Sequence, residues 1–482
     1  MALLLLIITP LVAALASLGV RRTIVRFEII ASLAAVVESV AAILIAEQVV
    51  WRDHYDFGNF SSVDALGTIV MLTVAVVDLA ATFYSIGYLR EEVRKKIIGF
   101  RRVKQFFILL HLFLLAMFFA IVTVNPIMMW IAIEATTLST AFLISFYNKP
   151  SAMEAAWKYL IINSIGLLFG FFGTLLFLTP ARNLTAGTLV DWHTLSANAA
   201  FLDPMLTKMA FIFVLIGYGT KTGLAPMHTW LPDAHSKAPS PISALLSGAL
   251  LNVALLAIVR FKIITDAVIA APFSQNLLIV FGIASVLISA FIILAQKNYK
   301  RLFAYSSIEH MGIITLGIGF GGLGTFAALL HMIYHSLAKP VLFFSAGNVL
   351  LKYGSTKIAN VRGVLSSLPT TGLILLLGFL AITGMPPFGM FITEVSILSA
   401  GIASHPVVVS CVLVLLALVF IGFLRHIVAM TLSREAEPTP AGELNYLTTM
   451  PAVFLLILFI GAGLYLPGPI KSLVISAASS IH

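Results

Sequence analysis

The sequence predicts an all-α polytopic membrane protein with about fourteen transmembrane helices, two inverted five-helix repeats (helices 4–8 and 9–13) and discontinuous helices 7 and 12. Three observations lead there. Of 482 residues, 60% are hydrophobic and only 10% charged. The apolar residues fall in runs of ~20, the length that spans a bilayer core as helix. The basic residues crowd into alternate short loops, the bias of a multi-pass membrane chain.

Taken in order, the spans fall near 2–19, 28–47, 65–88, 106–124, 127–147, 155–178, 207–227, 240–263, 277–296, 303–320, 325–350, 369–398, 407–431 and 449–467. The first run ends in Ala14-Leu15-Ala16, which resembles a cleavage site. No basic residue precedes it and Arg21 and Arg22 follow, the reverse of a signal peptide, so it is read as a retained helix. Loops after odd spans carry most of the basic residues, for example Arg90, Arg94, Lys95, Lys96, Arg101, Arg102 and Lys104 after the third. Loops after even spans carry little beyond Arg52, Arg182, Arg260 and Lys262. This places odd loops in the cytoplasm of an inner-membrane protein, with both termini on the outer face. The longest outward loop, 179–206, is polar enough for a small exposed cap, and the tail after Pro467 is too short to span.

The net charge of +9 suggests nucleic acid, but its confinement to loops between apolar runs argues against that partner. A single cysteine, Cys411, excludes disulfides and iron–sulfur clusters held by this chain alone. There is no phosphate-binding loop and no dinucleotide fingerprint after a strand-like segment. No cofactor and no metal site is expected.

Five charged residues fall inside apolar spans: Glu134, Lys158, Lys221, Lys339 and Glu394. Each ionised group near a helix centre costs ~2.5–3.5 kcal/mol on insertion scales. Together they rival the ~5–15 kcal/mol stability of a typical fold, so they are expected to be paired, hydrated or neutral and to face the interior. Glu134 and Lys158 fit a static ion pair as well as a functional one. Glu154, one turn from Lys158, is a rival partner nearer the helix start. Lys339 precedes Pro340, where it fits a cap on a freed carbonyl. Lys221 is hardest to explain structurally, because its own helix breaks at Gly223-Leu224-Ala225-Pro226. His310, His331 and His335 extend the set, since imidazole titrates near neutrality. His331 and His335 share a helix face; the competing readings are hydrogen-bonded buried imidazoles, and a metal pair for which no matching carboxylate or cysteine set is seen. Glu38 and Asp78 lie in apolar runs without polar neighbours. They are left outside the path, as candidate contacts to neighbouring subunits or lipid headgroups.

The break recurs. Gly384-Met385-Pro386-Pro387 interrupts span twelve as Gly223 to Pro226 interrupts span seven. Lys339 follows Lys158 by 181 residues, His310 follows Glu134 by 176 and Glu394 follows Lys221 by 173. These offsets divide the chain into an N-terminal helical segment (1–105), a first repeat (106–265), a second repeat (266–432) and a C-terminal helix with tail (433–482). An odd number of helices per copy makes the repeat inverted, and matching Gly/Pro-broken helices in inverted repeats point to a transport site at the midplane.

Several segments together resemble a known family: MMWIAIEATTLSTAFL around Glu134, AAWKYLI around Lys158, GTKTGLAPMHTWLPDAHSKAPSPISALLSG around Lys221, LAQKNYKRLFAYSSIEHMG around His310, HMIYHSLAKPVLFFSAGN around Lys339 and GMPPFGMFITEVSIL around Glu394. The family is the antiporter-like proton-channel subunits of respiratory complex I, Mrp-type cation/proton antiporters and membrane-bound hydrogenases. The segments around Glu134 and Lys158, with Asp64–Leu89, look most like the F-type membrane subunit of hydrogenase-4. The resemblance implies a switching Glu134–Lys158 pair, a central Lys221, a hydrophilic axis of His310, His331 and His335, then Lys339 and a terminal Glu394. It also implies an oxidoreductase-linked ion translocase that works with other membrane subunits and a peripheral arm carrying iron–sulfur clusters. Two positions depart from the family pattern. Asn252 stands where a titratable residue is usual, so Ser243, Ser247 and Asn252 are expected to hold a water chain between Lys221 and His310. Glu309 adds a carboxylate beside His310. The expected function is proton translocation in a redox-driven complex; the alternatives are a sodium/proton antiporter subunit and the proton path of an inorganic-carbon uptake system.

Overall fold

The computed structural model describes residues 1–21, 23–184, 190–434 and 440–481, with the backbone alone at 180–184. Arg22 and the side chain of Arg182, both counted among the loop charges, lie outside that set. The chain forms α1 (Ala2–Gly19), α2 (Ile24–Arg52), α3 (Ala65–Arg94), α4 (Phe100–Val122), α5 (Pro126–Ile144) and α6 (Pro150–Leu184). The seventh expected span is split into α7 (Pro204–Thr222) and α8 (Trp230–Lys237). Then come α9 (Ser240–Ile269), α10 (Pro272–Leu294), α11 (Tyr299–Phe320) and α12 (Leu323–Tyr353). The twelfth span is likewise split, into α13 (Pro369–Ile382) and α14 (Gly389–Ile402), and α15 (Pro406–Thr431) and α16 (Met450–Leu464) follow.

Among the described residues, twelve segments are long and apolar enough to cross a membrane. The two remaining expected spans correspond to α11, which carries Lys300, Arg301, Glu309 and His310, and to the short pair α13 and α14. The tail forms α17 (Gly468–Ser480), a 13-residue helix that turns Leu473, Val474, Ala477 and Ala478 inward. One small hairpin interrupts the helical pattern: β1 (His54–Phe57) pairs antiparallel with β2 (Ser61–Asp64) between α2 and α3. The described end of the long loop, from residue 190 on, is tied to the helices rather than standing free as a cap. Trp192 N donates to Val124 O at 3.0 Å, and Asn125 Nδ2 donates to Val190 O at 3.2 Å.

Burial sorts the helices. Every residue in the apolar window of α9 is buried, against 33% in those of α1 and α15. With α3 and α12, α9 forms the centre, and the outer helices leave apolar faces for lipid or other subunits. Outside the spans, Asp64 locks the start of α3. Its Oδ1 accepts from Gly67 N at 2.8 Å, and Arg260 donates to both oxygens at 3.1 Å. Burial pushes this carboxyl up, but the Arg260 guanidinium and the cap outweigh it and hold it below its ordinary value. The link is therefore complete above the usual carboxylate range and is lost only as pH falls through the lowered value.

Helices α6 and α7 approach at glycines, as helices do where lipid supplies no hydrophobic drive. A Cβ on Gly217 would overlap the backbone of Gly170, and one on Gly166 would collide with the Thr220 side chain. Gly217→Val should therefore overpack the seam by about 1–3 kcal/mol and lower the thermal midpoint of the purified protein. Gly461→Ala, where a Cβ meets nothing within 4 Å, should leave it unchanged. Equal behaviour of the two variants would count against the glycine contact.

Candidate functional site

The first break places Lys221 at the end of α7. Gly223 stops the helix in the left-handed region (φ 81°), and the 3-10 turn Met227–Thr229 leads into α8. Interrupting a helix frees backbone groups, which a membrane interior cannot leave unpaired. Here Trp230 Nε1 donates to Thr220 O at 2.8 Å, and Ala225 N donates to Ser285 Oγ at 2.9 Å. With its backbone thus satisfied, the break holds Lys221 at 0% exposure. Its Nζ donates to Thr137 Oγ1 and Tyr159 OH, both at 2.8 Å, and lies 4.9 Å from the centre of the Tyr159 ring. Among the described residues no carboxylate forms an ion pair with it. Thr137 Oγ1 donates to Glu134 Oε2 at 3.3 Å, and Ser164 Oγ holds Glu134 Oε1 at 2.7 Å. Glu134 therefore reaches Lys221 through one hydroxyl.

The expected Glu134–Lys158 pair is not formed. Lys158 is half exposed on the outer face of α6, where its Nζ sits 2.6 Å from Glu154 Oε1 and 3.6 Å from Asp233 Oδ2. The reason is the direction of helical side chains, which tilt toward the N-terminus and reach one turn back. That brings Lys158 to Glu154 and the head of α6, away from the interior. Asp233, on α8, also accepts from Arg301 on α11. Lys158 thus joins a partly exposed network linking three helices.

The second half of the site is more enclosed. Lys339 is fully buried, and its Nζ donates to Phe303 O at 3.1 Å and to Ser306 Oγ, both on α11. It caps a carbonyl as Pro340 suggested, but on a neighbouring helix. His310 on α11 faces both histidines of α12, with ring centres 5.2 Å from His331 and 5.7 Å from His335. His310 Nδ1 and His331 Nε2 are 3.0 Å apart, and His331 Nδ1 lies 2.8 Å from Thr393 Oγ1. Glu309 Oε2 approaches His310 Nε2 at 3.2 Å without hydrogen-bond alignment, so both atoms stay unsatisfied. The second break brings Glu394 to this cluster. Gly384 has φ +63°, and a Cβ there would collide with the Glu394 carboxylate, so the glycine makes room for the acid. Glu394 offers an oxygen that lies with His310 and His331 ligand atoms within 4.8 Å of one another. The carboxylate not seen in the sequence is therefore present, 63 residues from His331 in the chain.

Between the two halves, Ser247 Oγ and Ser307 Oγ are 2.7 Å apart, and Asn252 Nδ2 donates to Ser336 Oγ at 2.7 Å. Asn252 Oδ1 has no partner and is buried. Ser243 Oγ donates to His235 O at 2.9 Å. All three residues lie on the first turns of α9, where a π-helical turn (Leu246–Leu250) widens the backbone. They tie α9 to α11, α12 and α8.

Sequence reasoning missed several members. Tyr159 and Thr137 receive Lys221, yet each looks like ordinary helix filling; the signal was their one-residue and three-residue distance from Lys158 and Glu134. His235, on α8, is fully buried with both ring nitrogens unpartnered, stacked 5.2 Å from Phe343. Glu38 and Asp78 do not face other subunits or headgroups. Both are at 0% exposure, their carboxyl groups are close enough to interact across α2 and α3, and Thr82 Oγ1 donates to Asp78 Oδ1 at 3.0 Å.

A lysine buried at the first break, a glutamate at the second and a histidine cluster beside that glutamate form the polar interior of a polytopic membrane chain. Residues 123–421 match the family model described as NADH:quinone oxidoreductase/Mrp antiporter, transmembrane. The chain is 39% identical over 414 residues to the hydrogenase-4 component F homolog of Methylacidiphilum infernorum (isolate V4), covering 85% of this chain and 86% of that protein. It superposes on a chain of the archaeal membrane-bound sulfane sulfur reductase with a TM-score of 0.87 at 24% identity, covering 99% and 97%. It superposes on a chain of the Mrp complex from Dietzia sp. DQ12-45-1b with a TM-score of 0.85 at 17% identity, covering 100% and 97%. Those two likenesses speak to the fold. The family match and the 39% identical relative show that this chain belongs to the NADH:quinone oxidoreductase/Mrp antiporter membrane family.

Tyr159 OH sits between Thr140 Oγ1 at 2.6 Å and Lys221 Nζ at 2.8 Å. Tyr159→Phe leaves the buried lysine with one protein acceptor. It should cost about 1–3 kcal/mol, read as a lower thermal midpoint, while Lys221→Met combined with Tyr159→Phe should cost less than the two separate losses added.

Proposed function

We propose that the chain is a proton-translocating membrane subunit of a multisubunit redox-driven complex, of the hydrogenase-4 and complex I kind. The observation that carries the reading is Lys221: fully buried at a helix break, held by two hydroxyls, with Glu134 one hydroxyl away. A buried ammonium with only neutral contacts and a carboxylate one hydroxyl away is placed to exchange its proton, the role intramembrane ionisable groups serve in proton relays. Small movements of Glu134 against Ser164 and Thr137 therefore set whether Lys221 keeps its proton.

The proposed path runs from Glu134 and Lys221 past Ser243, Ser247 and Asn252 to His335, His310 and His331, with Lys339 beside them and Glu394 at the far end. Water is needed where Asn252 Oδ1 is unpartnered, since an amide does not titrate. Lys158 acts at one remove. With Glu154, Asp233 and Arg301 it forms a partly exposed network on the flank of the break, suited to respond to a neighbouring membrane subunit. The two breaks fit the inverted-repeat scheme, with 106–265 and 266–432 as its copies and 1–105 and 433–482 outside them. The charge bias of the loops supports an inner-membrane location with both termini outward. Electrons would be handled by a peripheral arm carrying iron–sulfur clusters.

The test is proton uptake by the complete complex in vesicles. Lys221→Ala should lower it at least tenfold while electron transfer and assembly persist, and replacing sodium by potassium should leave the wild-type rate unchanged. Normal pumping by Lys221→Ala would sink the reading. A strict sodium requirement would replace it by sodium/proton exchange.

A further inference from the structure

We propose that His310, His331 and Glu394 form a binding site for one divalent transition-metal ion, braced by Thr393 and flanked by Glu309. Two imidazoles and a carboxylate are the donor set that suits zinc and its neighbours in the first row, and it suits magnesium and calcium poorly. Their ligand atoms already lie within 4.8 Å of one another. His310 Nδ1 and His331 Nε2 face each other at 3.0 Å. The edge of a tetrahedron with metal–nitrogen bonds of ~2.0 Å is roughly 3.3 Å, so an ion would part the rings by only a few tenths of an ångström.

The surroundings are those of a ligand set. Histidines that hold metals are oriented through their second nitrogen, and His331 Nδ1 has Thr393 Oγ1 at 2.8 Å. Glu309 Oε2 lies 3.2 Å from His310 Nε2. A slight rotation aligns that pair as the carboxylate–histidine arm of a metal site, or turns the carboxylate toward the ion itself. Glu309 Oε2, His310 Nε2 and both nitrogens of His335 are buried without partners. Such orphaned groups are costly to retain, and a bound cation with its coordinated water would satisfy them.

A bound ion replaces the His310–His331 hydrogen bond. Resting on the proton-path reading above, occupancy therefore interrupts transport at the second break. The test uses the complete complex, purified without a histidine tag, stripped with chelator and titrated with zinc chloride. One zinc per chain is expected, with X-ray absorption showing two imidazole nitrogens and carboxylate oxygen at ~2.0–2.2 Å and no competition from excess magnesium. His331→Ala should abolish this binding. Thr393→Val, a milder change, should weaken it by about 10–100-fold with the same spectrum. Zinc bound equally by His331→Ala, or a spectrum without imidazole, overturns the site. Zinc bound as described with proton uptake unaffected keeps the site and overturns the proton-path reading instead.

Discussion

Everything in this molecule is arranged around an ammonium that the fold buries without a counter-ion in contact. Lys221 is held by Thr137, Tyr159 and the face of the Tyr159 ring. A directly paired carboxylate would stabilise the charge most and make the lysine inert, since breaking a buried pair strands the other charge. Leaving no polar contact would force neutrality. Two hydroxyls and a ring face lie between those limits, and one of the hydroxyls passes the influence of Glu134. The glycine seam between α6 and α7 belongs to the same arrangement. It draws the two helices close, so that Tyr159 on α6 reaches Lys221 on α7.

The two breaks begin with the same turn, Leu224 N donating to Gly219 O at 2.9 Å and Met385 N to Leu380 O at 3.1 Å, and differ in what is added to it. A helix stopped inside a membrane must find partners for its freed backbone. At the first break an indole and a serine from other helices supply them, so the lysine keeps its whole donor capacity for the polar side chains. At the second, Phe388 N donates to Met385 O at 3.1 Å within the linking segment itself. There the glycine admits a carboxylate in place of an ammonium. One end of the polar line is therefore built to hold a cation and the other to hold an acid, with imidazoles near the acid end.

Much of this was legible in the sequence because it is local. Glycine and proline break a helix wherever they stand together, so the splits after Lys221 and before Glu394 could be read from four residues each. Apolar run length located the helices for the same reason. What failed depends on which face a side chain takes. Lys158 was expected to turn inward to Glu134, yet the tilt of helical side chains sends it back one turn to Glu154. Glu38 and Asp78 looked isolated because each lies in a mainly apolar run with no other charged residue near it in sequence; the packing of α2 on α3 makes them neighbours. The meeting of His310, His331 and Glu394 joins three helices, and no spacing rule along one chain encodes it.

The separation of Lys158 from Glu134 bears on how a neighbour could control the proposed path. Were the two paired, a neighbour would have to break a buried contact to change the charge near Lys221. Instead Glu134 is held only by hydroxyl groups, while Lys158 lies between Glu154 and Asp233 at the edge of the chain. Asp233 sits on α8, just beyond the break, and is tied to Arg301 on α11, the helix that carries His310. Any shift of Lys158 from Glu154 toward Asp233 redistributes charge on α8 and α11 together. The edge network thus touches both sides of the polar line without entering it, which is the arrangement a coupling element needs.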